Sequence, residues 1–112
     1  MTLPQNARRD ANGVARRSLS RKLLLRLLVA QPDLSRAALA SRLAVPDHLL
    51  EKCESGQTLM PLDAQERLAV FVLAHEPRLD RLARRLRLQV HAARRYEAGE
   101  VVRHMTSPPL RS

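Results

Sequence analysis

The sequence predicts an all-α protein, a compact bundle of five to six short helices. Three observations lead there. Apolar residues recur at helical spacing in several short segments, each closed by Pro or Gly, and no segment alternates with the period of two that a half-buried strand needs. Aromatic residues are nearly absent, Phe71 and Tyr96 being the two in 112 residues. Leu, Ala and Val must therefore fill the core, which favours helices over a sandwich.

Residues 1–17 hold Pro, Asn and Gly without apolar periodicity and read as a disordered basic arm. The opening 22 residues are rich in Arg and poor in acid, a faint likeness to an organellar transit peptide; a flexible basic arm is the preferred reading, which tracks a minor groove or phosphates or serves as a solubilising tail. From Ser18, Leu19, Leu23 and Leu27 with Leu24 and Leu28 mark a first helix, which should end near Gln31-Pro32 because proline disfavours a helical residue before it. Asp33 or Ser35 can cap a second helix through Leu43. Pro46 suits the start of a third, about 46–54, which Ser55-Gly56 should close in a left-handed turn. "DAQE" at 63–66 is a capping-box pattern for a fourth helix, with Leu68, Phe71 and Val72 as its stripe and Pro77 as its stop. "RLDRLARRL" and "VHAARRYEA" then predict a fifth and a sixth helix, and residues 105–112 a flexible tail.

The net charge is +9, and it is unevenly placed. Residues 1–22 carry +5, residues 23–77 carry −2, and residues 78–103 carry +5. Such a balance points to a polyanion as partner. The lone Cys53 excludes an internal disulfide and suits a reducing, cytoplasmic setting, nucleoid-associated when bound. The longest apolar run, "LLLRLLVA" at 23–30, is too short to span a bilayer and contains Arg26, so no membrane role is expected. His48, His75, His91 and His104 lack paired ligand spacing, and three glycines make no phosphate-cradling loop. With no nucleophile–base pairing either, neither an enzyme nor a metal or small-molecule cofactor is expected.

Residues 39–57 align without a gap on residues 82–100. Leu39, Ala40, Arg42, Leu43, His48, Glu54 and Gly56 recur as Leu82, Ala83, Arg85, Leu86, His91, Glu97 and Gly99. "LASRLAVPDHLLEKCESG" resembles the helix-turn-helix of the Cro/C1 repressors, the Xre-type regulators. Leu39-Ala40 stand at the opening of its first helix, Ala44-Val45 at the turn, Leu50 at the core position and Glu54-x-Gly56 at the close. "LARRLRLQVHAARRYEAGE" resembles the same motif, with Arg87-Leu88 at the turn. The resemblance implies tandem units, 18–76 with flanking helices and 77–104, in a regulator that binds double-stranded DNA, most simply as a bacterial or phage-type repressor. It also implies a homodimer on a palindrome, while the internal repeat offers a single chain spanning two adjacent sites.

The major groove admits one α-helix, whose first residues reach base edges. In the first unit the outward positions are Asp47, His48, Glu51 and Lys52, of which His48 and Lys52 are candidate contacts. In the second they are Val90, His91, Arg94 and Arg95, preceded by Gln89, with Arg84, Arg85 and Arg87 for phosphates. Charge makes the second unit the expected groove reader. Tyr96 and Cys53 occupy matching positions before the closing glutamate and read as half-buried packing residues, and Glu54 and Glu97 as caps or arginine partners. The rival function is an antitoxin-like or adaptor module meeting an acidic protein partner; RNA binding is weakened by the lack of stacking aromatics.

Overall fold

The structure, a computed structural model, describes residues 14–110, with side chains through Glu97. Its elements are α1 (Leu19–Ala30), α2 (Arg36–Leu43), α3 (Asp47–Ser55), α4 (Leu62–His75), a 3-10 turn (Pro77–Leu79) and α5 (Asp80–Leu110). The described residues contain no strand, so the all-α expectation holds.

Ser18 caps α1, its Oγ accepting from the Arg21 amide, and Leu23, Leu24 and Leu27 turn one face into the core. Gln31 follows the last turn, as Pro32 requires. Of the two candidate caps for α2 it is Ser35 that acts, its Oγ accepting from the Ala38 amide at 3.0 Å. Leu39, Ala40 and Leu43 from α2, Leu50 and Cys53 from α3, and Leu68, Ala69 and Val72 from α4 meet the leucines of α1 in one core. Arg42 lies over the Phe71 ring, 5.6 Å from its centre, and ties α2 to α4. At the far end the buried Glu76 carboxylate accepts from Gln31 Nε2 at 3.2 Å and Arg78 Nε at 2.6 Å.

Three expectations need correction. The capping box at 63–66 does not form. Pro61 precedes the first turn of α4 with no side-chain cap, and Asp63 and Glu66 both accept from Arg94 instead. The expected break at Arg87-Leu88 is also missing, because one continuous α5 replaces the fifth and sixth helices and extends to Leu110, through the tail predicted from residue 105. Leu82, Leu86 and Val90 recur every four residues against the core, with no Pro or Gly between them to stop the helix. Among the described residues the tandem arrangement therefore reduces to a single helix–turn–helix. Finally, the end of the expected basic arm is ordered. Residues 14–16 form a helical turn with Ala15 buried, while residues 1–13 and 111–112 lie outside the described part.

Candidate nucleic-acid interface

The helix–turn–helix is built from α2, three linking residues and α3. Ala44 adopts the left-handed conformation, φ 59° and ψ 43°, and is the one non-glycine with positive φ among the described residues. That reversal lets the Val45 amide donate back to the Ala40 carbonyl at 3.0 Å. Pro46 then takes an extended conformation and accepts from the Leu49 and Leu50 amides at 3.1 and 3.2 Å. Its missing N–H costs nothing at a helix start. Gly56, φ 81°, closes α3, and the Gln57 amide donates to the Lys52 carbonyl at 2.9 Å.

Leu50 and Cys53 bury one face of α3, which leaves Asp47, His48, Glu51 and Lys52 exposed on the other. The candidate contacts His48 and Lys52 are thus both at the surface. Glu54 holds the helix from behind. Its side chain, 15% exposed, accepts from Arg36 Nε at 2.7 Å, and its backbone carbonyl accepts from Arg21 Nε at 2.7 Å. The Glu54 carboxylate, by hydrogen bond first and charge second, raises the Arg36 pKa. Arg21 at the carboxyl end of α3 also meets the negative end of the helix dipole. Burial first, with the Glu54 charge, pushes the Cys53 thiol up, as expected of a small apolar filler.

The α5 candidates are placed differently from the expectation. Val90 is fully buried, 0% exposed, and reads no base. Arg94 is spent on Asp63 and Glu66 and serves as a strut between α5 and α4. His91 lies 3.7 Å from Glu66. The Arg94 hydrogen bond is the main cause that holds the Glu66 carboxyl below the usual range. Arg84 pairs with Asp80 one turn back. Arg85, Arg87, Gln89 and Arg95 lie along α5, a helix that has no partner helix of its own at a turn, and all four are exposed. Tyr96, expected to be half-buried, is 71% exposed. Sequence reasoning missed Arg21 and Arg36 as the residues that seat α3. Arg36 and Arg21 stand 18 and 33 residues before Glu54, a separation that carries no local signal for either contact.

The sequence model of the family described as "Helix-turn-helix domain" matches residues 23–82, more than half of the chain. The chain belongs to the helix-turn-helix domain family. The match begins inside α1, covers α2, the turn and α3, and stops at Leu82, the first buried residue of α5. No curated protein and no solved structure matches the chain. Among the described residues no helix is long and apolar enough to cross a membrane, and no cluster of His, Cys, Asp or Glu could hold a metal ion.

Proposed function

We propose that this helix-turn-helix protein is a sequence-specific double-stranded DNA-binding transcriptional regulator of the Cro/C1 type, a repressor that occupies a promoter. The observation that carries the reading is the seating of α3. Its apolar face is locked into the core, its carboxyl end is gripped by Arg21 and Arg36, and its opening turns stand clear of the body. A helix held this way can enter a major groove with α2 across the backbone. His48 and Lys52 then face base edges or phosphates, while Asp47 and Glu51 accept from cytosine amino groups. The reading role moves from α5, where the sequence alone put it, to α3. We read it as a homodimer on a palindrome, since the described residues hold one helix–turn–helix per chain.

The test is selection from a random pool of duplexes, followed by binding of variants to the enriched sequence. Enrichment of a defined motif is expected. His48→Ala with Lys52→Ala should weaken binding about tenfold or more, at about 1–3 kcal/mol for each good base contact. A pool that stays random, or a variant that binds as tightly as the parent, overturns the reading. The Asp47 and Glu51 carboxylates on α3 favour a second one, a helical module for a protein partner. In that case duplex binding would be absent at all salt concentrations.

A further inference from the structure

We infer that the seam between α1 and α5 is a second DNA-binding surface, one that grips the sugar–phosphate backbone without reading sequence. The inference rests on the DNA-binding role proposed above and adds a face which that role does not use.

Two grooves run along this seam. The first, about 620 Å3, is lined by Arg17 and Lys22 on the α1 side and by Arg85 and Gln89 on the α5 side. The second, about 550 Å3, continues it with Arg26 of α1 and Arg78 of the 3-10 turn. The early part of α1 thus faces the later residues of α5, and the end of α1 faces the turn before α5, so the two helices run antiparallel. Five cations line the two grooves and no carboxylate does. By contrast, the grooves on the opposite side of α5 contain Asp63, Glu66 and Asp80. Arg17, Lys22, Arg26 and Arg85 make no ion pair among the described residues. Unpaired guanidinium and ammonium groups gathered on one face carry a standing repulsion, which a polyanion relieves.

The spacing favours a phosphate backbone. Lys22 and Arg26 stand one turn apart on α1, about 6 Å along the axis. From Asp80 to Gln89 α5 advances about 14 Å, roughly four base-pair steps of duplex at 3.4 Å each. The cations form a row along a groove instead of a ring around one pocket, as an extended anion requires. The row begins beside Leu59, in the segment that leads out of α3, and Leu62, the first residue of α4. α3 itself meets α1 through Arg21, on a different side of the helix from Lys22 and Arg26. The seam therefore reaches the connection between α3 and α4 at one end and is separate from the reading surface, since no residue of α3 lines it.

The test uses the full chain and a random-sequence duplex of about 20 base pairs, followed by fluorescence anisotropy over a range of salt. Arg17→Ala, Lys22→Ala, Arg26→Ala and Arg85→Ala together should flatten the dependence of log affinity on log salt by about 3 to 4, at about 0.9 for each phosphate that is no longer neutralised. Arg84→Ala with Arg87→Ala, on the opposite side of α5, is the charge control and should flatten it far less. Circular dichroism confirms that both variants remain folded. The α3 variant His48→Ala with Lys52→Ala should lose preference for a selected sequence yet keep its binding to the random duplex. Energy transfer between two separately labelled duplexes appears if the seam holds a second duplex and is absent if it holds the flank of the same one. A seam variant with the parental slope overturns the inference while leaving α3 intact as reader. Seam-dependent binding of polyglutamate with unchanged DNA binding also overturns it, in favour of an acidic protein. If the parent binds no duplex at all, this inference and the proposed function fall together.

Discussion

Replacing Ala44 by glycine should stabilise the protein. Ala44 is the pivot of the helix–turn–helix, at φ 59° and ψ 43°. A left-handed backbone costs a residue with a Cβ about 1–2 kcal/mol, because that atom crowds the following carbonyl oxygen. Glycine escapes the crowding but makes the unfolded chain more disordered, at a cost of about 0.4–1 kcal/mol. Ala44 is exposed, so removing its methyl group forfeits little burial. The net gain is about 0.5–1 kcal/mol, which for a domain of this size raises the melting temperature by about 3–6 °C. Ala44→Val should do the reverse, since a β-branched side chain fits this backbone worse than alanine. Thermal melts followed by circular dichroism, with guanidinium titrations at constant m-value, measure both. A glycine variant that melts at or below the parent, or a valine variant that melts above it, would refute the left-handed turn at Ala44.

Three other outcomes are expected. Gly56→Ala should destabilise by about 1–2 kcal/mol or more, because φ is again positive and the new Cβ would stand 2.7 Å from Arg16 Cγ and 3.2 Å from Arg16 Cα; chemical denaturation checks this. Glu66 has its folded pKa lowered, chiefly by the Arg94 hydrogen bond, so its contribution to stability is present above the ordinary glutamate value of about 4.3 and is lost as pH falls through the lower folded value. Arg94→Ala should therefore make unfolding less sensitive to acidification below about pH 4, read from melts across that range, and an unchanged profile would count against the strut. The Cys53 thiol is buried and its pKa raised, so an aromatic disulfide reagent should label it at the rate of unfolding, and rapid labelling of the native protein would contradict its placement.

The first four helices were legible because each carries its own punctuation. Ser18 and Ser35 cap, Pro32 and Pro77 stop, and Gly56 closes α3, so local chemistry and the global fold agree there. Leu50 at the core position and Asp47, His48, Glu51 and Lys52 on the outside follow from helical period alone. The repeat misled at α5. Leu82, Ala83 and Leu86 match Leu39, Ala40 and Leu43 because both sets pack into one core, but the second copy lacks the proline and the left-handed residue that break the first. Val90 then continues the buried seam where an outward residue was expected. Arg94 looked free for DNA because its partners, Asp63 and Glu66, sit on another helix about thirty residues away and looked like a local cap. Charge read along the chain finds which segments are basic; only packing decides which charges are already paired.

The central claim is that α3 is the helix that enters the major groove. Backbone amide shifts, followed by nuclear magnetic resonance during titration with a duplex enriched by selection, test this most directly. The expected pattern is a set of large shifts over Asp47–Lys52 and at the start of α2, with smaller ones along the α1–α5 seam. Shifts concentrated on His91, Arg94 and Arg95, with residues 47–52 unmoved, would contradict it.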